Sequence, residues 1–334
     1  MILEDKISVI VCTYNQQQTI ARALDSILRQ RCAWPIEIII GEDCSTDKTQ
    51  EICADYASRY PDIIRLISNP KNKGLLNNYY DCLLEARGKY IADLAGDDEW
   101  CDPRKLEKER LLLEEHPEVV LVHTDYRLRD EKTGDLRLAP FYPYPKNITD
   151  GKQLIPSILT QRSRPVVHLC TAMYRTEAFR TCYEAHTSLF RNTDYPCEDM
   201  QLCALLAQKG QFAYIDSITL TYSLSCSISK THDEARQFRF VQGITQLSHD
   251  LQETLQLTDI KTLRNYFSYR IFALLMHAFR AHDKQLRNEA LQCAERWHAP
   301  LEGRSRMVLF FTSNDALWRM ALSLRKKLLQ LRRH

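Results

Sequence analysis

The chain has 334 residues, 44% hydrophobic and 26% charged, with a formal net charge of +2. That balance is ordinary for a soluble globular protein and excludes a polyanion partner gripped by the whole molecule. The length argues for a main domain plus an appendage. Twelve cysteines are scattered with no C-x-x-C pair, which disfavours zinc ribbons and thioredoxin-like redox sites and suits a reducing cytosol. The N-terminus MILEDKIS carries Glu4 and Asp5 and does not read as a signal peptide. No run reaches the roughly 20 apolar residues of a membrane-spanning helix, so a cytoplasmic location is expected.

Ile7 to Thr13 is a short, β-branched, apolar run, as expected of a strand covered on both faces in a parallel sheet. Tyr14 and Asn15 follow as a polar turn, and Ile20, Ala23, Leu24, Ile27 and Leu28 recur at helical spacing. Ile36 to Ile40 predicts a second buried strand ending in Gly41-Glu42-Asp43, with Ser45 or Thr46 as cap of a helix running to about Tyr60. Ile63 to Ile67 predicts a third strand and Leu75 to Arg87 a third helix. Gly88 reads as the stop of that helix in left-handed geometry.

Lys89 to Ala95 then predicts a buried strand, followed at once by Asp97, Asp98 and Glu99. Ligands of open α/β sheets bind outside the carboxyl ends of the strands, and a divalent cation holding a diphosphate needs one or two carboxylates there. Leu106 to Glu115 predicts another helix and Val119 to Thr124 another strand, while Asp130 to Ile148 reads as a long loop. Gln161 to Ser229 mixes helix and strand signals. From about Ala235 the pattern is helical, and the last segment interleaves Arg304, Arg306, Arg319, Arg325, Lys326 and Lys327 with Phe310, Trp318, Met320 and Leu324. Such a basic amphipathic end suits either an anionic membrane surface or packing on its own domain.

The alternation of strands and helices predicts a mainly parallel sheet flanked by helices, residues 1–230, with a helical appendage over 235–334. No G-x-G-x-x-G follows the first strand and Gly88-Lys89 opens a strand, which disfavours a dinucleotide fold and a P-loop. What remains is a set of polar residues at strand ends, Thr13-Tyr14-Asn15, Glu42-Asp43 and Asp97-Asp98, along one rim of a parallel sheet. Glu42 or Asp43 can accept the imide N–H of uracil, and Tyr14 can cover the base or its ribose.

These residues carry a resemblance. CTYN at Cys12–Asn15, IIIGEDCSTDKT at Ile38–Thr49, NKG at Asn72–Gly74 with Asn78, and GKYIADLAGDDEW resemble family 2 glycosyltransferases of the A-type (GT-A) fold. The likeness is close over roughly the first 125 residues and looser to about Ser229. It implies inverting transfer of a sugar from a nucleotide-diphosphate donor, with Mn²⁺ or Mg²⁺, to an acceptor hydroxyl. It further implies that Thr13 and Tyr14 line the base pocket, that Asn15, Glu42, Asp43 and Asp97 bind the nucleotide, and that Gly74 and Asn78 lie beside the base. Asp97 and Asp98 end the metal motif, with Asp98 the better ligand. Cys197-Glu198-Asp199-Met200 resembles the acidic pair that holds the general base, here Asp199 supported by Glu198.

The chain departs from the family in two places: Ala95 stands where an acid is frequent, and Ser223 and Ser225 stand where Tyr-Arg and a metal-binding histidine are frequent, with His232 nearby. The expected activity is transfer from a UDP-sugar to a glycan or lipid-linked acceptor in polysaccharide assembly, with peripheral contact at the inner face of an anionic membrane and no nucleic acid. The rival readings are a non-catalytic nucleotide-sugar-binding scaffold and a sugar nucleotidyltransferase. The latter wants a glycine-rich basic loop that TYNQQQT does not supply.

Overall fold

β1 (Glu4–Thr13) is the strand on which the sheet is built, with Ile7, Val9, Ile10 and Val11 all buried. It pairs in parallel with β2 (Ile36–Glu42) on one side and β4 (Gly88–Asp93) on the other, and β3 (Ile64–Ser68) adds in parallel beyond β2. In this computed structural model the described residues are 4–139, 147–161, 167–224, 233–258 and 261–331. Contacts divide the chain into two compact units, Met1–Thr193 with Cys197–Cys226, and Asp194–Pro196 with Ser227–His334.

In the first unit α1 (Ile20–Leu28), α2 (Thr49–Arg59) and α3 (Leu75–Leu84) connect the parallel strands. Ile20, Ala23, Leu24 and Ile27 form the buried stripe of α1, the i, i+3, i+4, i+7 pattern of a helix laid on a core. β5 (Glu99–Trp100), α4 (Lys105–Glu115), β6 (Val119–Arg129), β7 (Leu136–Leu138) and β8 (Ile148–Asp150) follow. Then come α5 (Gly151–Thr160), a single 3-10 turn at Leu169–Thr171, β9 (Ala172–Arg175), α6 (Thr176–Ala185), α7 (Thr187–Arg191), α8 (Asp199–Ala207) and β10 (Gln211–Ser223).

The strand order is β3-β2-β1-β4-β9-β6-β10-β5, with β7 on β6 and β8 on β10. β9 runs antiparallel to both β4 and β6, whereas β6 and β10 are parallel. The fold is thus a mixed α/β sheet whose first half is parallel. Because β2, β1 and β4 are adjacent and parallel, their carboxyl ends share one rim.

Several local expectations are corrected. The predicted loop over Asp130–Ile148 holds β7 and the start of β8, while residues 140–146 lie outside the described set. Asp130 turns the chain by accepting Lys132 N at 2.9 Å, so β7 can fold back on β6. Leu136 and Leu138 are exposed, and so no buried alternation marked them.

Gly88 does not take left-handed angles; the positive-φ glycines among the described residues are Gly74 and Gly134. It opens β4, where a Cβ would stand 2.6 Å from Lys6 O and 2.8 Å from Ser8 N. Neither Ser45 nor Thr46 caps α2. Instead Asp47 Oδ1 accepts Thr49 N at 2.9 Å, and the two hydroxyl residues bond to the turn after β1.

The second unit comprises α9 (Glu234–Thr254), α10 (Lys261–Ala281), α11 (Lys284–Arg296), α12 (Gly303–Phe311) and α13 (Asp315–Leu331). Asp233 and Asp283 cap α9 and α11 with their carboxylates. α13 is pinned by Trp318, fully buried with its indole N–H on Phe279 O at 2.9 Å. Met307, Phe310, Met320 and Leu324 remain exposed. No helix among the described residues is long and apolar enough to cross a membrane.

Candidate functional site

The turns after β1 and β2 are clasped together. Thr13, almost fully buried, accepts Asp43 N on its carbonyl at 3.1 Å and donates its hydroxyl to Gln16 at 2.8 Å. Asn15 sits at φ 53°, a left-handed geometry that asparagine tolerates. Its N–H reaches Ser45 Oγ at 3.0 Å and its Oδ1 accepts Thr46 N at 2.8 Å. Between them the Tyr14 side chain stays 45% exposed, presenting an aromatic face at the rim.

The two acids after β2 have different tasks. Asp43 gathers the following loop: Oδ1 accepts Asn69 Nδ2 at 3.0 Å and Lys73 N at 2.8 Å, and Oδ2 accepts Gly74 N at 2.9 Å. Gly74 makes the turn possible with φ +80°. Glu42 is buried; Oε1 accepts Ser45 N at 2.7 Å, and Oε2 is sealed from solvent with no hydrogen-bond partner. Asn78 is inside rather than on the rim, its amide shared between Gly41 O and Asn69 at 2.8 Å each. It therefore holds the Asp43 loop.

Gly96 brings the acidic pair against the end of β1, donating to Cys12 O at 3.3 Å. A Cβ there would lie 2.4 Å from Gln16 Oε1. Asp98 is 1% exposed; Oδ1 accepts Ser223 N at 2.9 Å and Oδ2 is buried without a partner. Burial, then the charge of Asp97, pushes the Asp98 carboxyl well above the carboxylate range. Burial also pushes Asp97 up; Glu131 adds to this, while Arg22 and Gln16 oppose it. The half-buried Asp97 and the buried Asp98 both resist ionising, and Arg22 offsets this only in part.

No group of three or more His, Cys, Asp or Glu side chains with metal-binding spacing occurs among the described residues. The pair nonetheless fits a cation shared with a diphosphate, since phosphate oxygens and water complete such a shell and Asp98 Oδ2 is an orphaned oxygen. Ala95 supplies no ligand. Ser223 bonds through its backbone to Asp98 and through Oγ to Glu131 at 2.8 Å. Ser225 and His232 lie outside the described residues.

Glu198 and Asp199 open α8, Glu198 at the N-cap and Asp199 as the first helical residue, where the helix dipole favours negative charge. Burial first, then the Asp199 charge, pushes Glu198 up. Glu198 therefore holds its proton more tightly than an ordinary carboxyl does. Asp199 lines a shallow recess with Ile158, Gln161, Val167, Met200 and Cys203. The recess includes neither Asp43 nor Asp98.

The helix α3 links the groups in a way the linear pattern did not announce. Three consecutive residues reach three places: Asn78 to Gly41 O, Tyr79 OH to Asp93 at 2.9 Å, and Tyr80 OH to Glu198 O at 2.7 Å. One helix thereby fixes the ends of β2 and β4 and the start of α8. The Cys12 thiol, at the end of β1, is pushed up by the Cys82 thiol and by burial, and then by the charges of Glu198 and Asp93. Asp93 itself, absent from the sequence-derived set, is pushed up to about 7 by burial; an acid inside the apolar run YIADLA was its signal. Arg22, paired with Glu131 at 2.6 Å and donating to Asp97 O at 3.1 Å, was also missed, its partner lying far along the chain.

Comparisons with known proteins bear on the family and the fold. The family described as Glycosyl transferase family 2 matches residues 8–182, more than half of the chain. An uncharacterised protein of Mycobacterium tuberculosis is 44% identical over 114 residues, 34% of this chain and 33% of that protein. A putative glycosyltransferase of Bacillus subtilis, EpsE, is 38% identical over 178 residues, 53% of this chain and 58% of that protein. The alignments thus span a third to somewhat over half of these relatives.

Among solved structures, S. aureus TarS (residues 1–349) in complex with UDP-GlcNAc aligns with TM-score 0.54 at 16% identity, over 89% of this chain and 93% of that one. The Pyrobaculum calidifontis mannosyltransferase PcManGT with GDP-Man and Mn²⁺ aligns with TM-score 0.53 at 16% identity, over 96% and 86%. These two likenesses are of fold.

Proposed function

The chain belongs to glycosyl transferase family 2, and on that premise we propose that it transfers a sugar, with inversion, from a UDP-sugar to a hydroxyl of a glycan or lipid-linked acceptor in polysaccharide assembly. The observation that carries the reading is the orphaned Oδ2 of Asp98 beside Asp97, on the rim shared with Thr13 and Asp43. Tyr14 covers the base or ribose, and Asp43 and Glu42 shape the pocket from beneath by holding the Lys73-Gly74 loop and the Ser45 turn. Asp98, with Asp97, holds the cation. A Mn²⁺ or Mg²⁺ ion held there would supply positive charge against the departing diphosphate.

Asp199 takes the proton of the acceptor hydroxyl as it attacks. Glu198, kept protonated by burial and by its neighbour, leaves that task to Asp199; pairs whose proton affinities are driven apart divide acid and base roles in this way. The ligands named for the two solved structures, UDP-GlcNAc in TarS and GDP-Man in PcManGT, make both bases arms of the test. A thermal-shift screen of UDP-, GDP- and dTDP-sugars with and without Mn²⁺ is expected to show stabilisation by a UDP-sugar that requires the metal. Stabilisation by GDP-sugars alone overturns the donor, and stabilisation by none overturns the function.

The exposed Met307, Phe310, Met320 and Leu324, interleaved with Arg304, Arg306, Arg319 and Arg325, lead us to place this end against an anionic membrane, where a lipid-linked acceptor is found. Apolar burial together with attraction of basic side chains to acidic lipid drives such binding. The protein should co-sediment with phosphatidylserine vesicles and lose binding in the Phe310→Glu, Leu324→Glu double variant. Equal binding to phosphatidylcholine vesicles contradicts the proposal.

A further inference from the structure

His168 lies just before the 3-10 turn that leads into β9, and its backbone is locked there. Its carbonyl accepts Thr171 N at 2.8 Å and the Thr171 hydroxyl at 2.7 Å. The imidazole packs edge-on against Tyr222, with centroids 4.8 Å apart at 73°, and tilted against Tyr126 at 5.4 Å. Its Nδ1 is sealed from solvent and has no hydrogen-bond partner. A buried polar nitrogen left unpaired is destabilising by about 1–3 kcal/mol, so a native protein that keeps one calls for an explanation.

The surroundings supply it. Tyr222 immediately precedes Ser223, whose N–H holds Asp98 Oδ1. On the other side Val167, the residue before His168, lines the recess that contains Asp199. Burial pushes the imidazole down and the Asp199 charge opposes it, so the ring is neutral at physiological pH with one donor and one acceptor nitrogen. A neutral imidazole framed by two aromatic rings offers what a sugar needs: a hydrogen-bond partner for a hydroxyl and apolar walls for the C–H faces. Through Tyr222 the ring adjoins the strand end that holds Asp98, and through Val167 it adjoins the recess of Asp199.

We infer that His168, flanked by Tyr126 and Tyr222, binds a hydroxyl of the transferred sugar and orients its reacting carbon toward Asp199. The inference rests on the glycosyltransferase reading and adds to it a residue for the hexose itself, distinct from those for nucleotide and metal. It also gives the sugar, rather than the base, a determinant on the β9 side of the sheet.

The test separates sugar from nucleotide. UDP-glucose, UDP-N-acetylglucosamine and GDP-mannose are titrated calorimetrically, each beside its own nucleoside diphosphate, into wild type, His168→Phe and His168→Gln. His168→Phe keeps an aromatic ring and is expected to weaken binding of the preferred sugar nucleotide about tenfold while leaving UDP or GDP unchanged. It should raise the melting temperature slightly, since the orphaned nitrogen is gone. His168→Gln, which keeps a donor and an acceptor, is expected to recover part of the affinity, and it carries the test alone if His168→Phe fails to fold.

A variant that binds sugar nucleotide and nucleotide as wild type does, with only the melting temperature moved, overturns the inference and leaves the function standing. So does an equal loss for both ligands, or a loss confined to the KM of the acceptor. A wild type that binds none of the three donors overturns the glycosyltransferase reading and this inference with it.

Discussion

Asp199→Asn is expected to lower kcat by about 10²–10⁴-fold, the range attributed to a positioned general base, with donor affinity unchanged within about twofold. The amide is isosteric, keeps the N-terminal position of α8, and cannot take a proton. Neighbouring Glu198 does not rescue the reaction, because burial, the larger cause of its raised proton affinity, persists when the Asp199 charge is gone, and a retained proton disqualifies a base. Glu198→Gln should accordingly cost far less than Asp199→Asn. Steady-state kinetics of the two variants under saturating donor decide this: equal losses, or a larger loss for Glu198→Gln, reverse the assignment.

Asp98→Asn is expected to act in two directions at once. Metal-dependent turnover falls by at least about 10²-fold, because the cation that offsets leaving-group charge loses its better ligand. The metal-free protein, in contrast, becomes more stable by about 1–3 kcal/mol at neutral pH, since Asn keeps an oxygen for Ser223 N and removes a buried acid that resists ionising.

The sign of the pH dependence follows. The folded Asp98 binds its proton more tightly than the unfolded chain does, so below the ordinary carboxylate range wild type loses nothing. As pH rises from there toward the raised folded value, wild type loses stability and the variant does not. Urea denaturation of the metal-free proteins at acid and neutral pH measures it, and a variant less stable than wild type at neutral pH contradicts the account.

Much of this arrangement was legible in the order of residues. Largely apolar strands with polar residues after each carboxyl end, ISVIVCT before Tyr14, IEIII ahead of Glu42 and KYIADLA ahead of Asp97, imply a parallel sheet whose carboxyl ends share one rim, because strands buried on both faces read that way. The mixed character of the sheet was not legible. β9 is four residues long and antiparallel between β4 and β6, and nothing in AMYR states which neighbours it has.

Side-chain tasks were less visible still. Asn78 and Asp43 look like ligand-facing polar residues in the linear pattern, yet Asn78 is spent within the protein and Asp43 holds the Gly74 loop. The reach of Tyr79 and Tyr80 to Asp93 and to the start of α8 depends on helix rotation and on segments far apart in sequence. The same distance hid the pairing of Arg22 with Glu131.

The central claim is that Asp98, beside Asp97 on the rim that holds Asp43, grips a diphosphate through a divalent cation. Electron paramagnetic resonance of Mn²⁺ titrated into the protein with UDP present tests it most directly. The account predicts that wild type depletes the free-Mn²⁺ signal cooperatively with UDP and that Asp98→Asn leaves it at the level of Mn²⁺ and UDP alone. Depletion by the variant equal to that by wild type would contradict it.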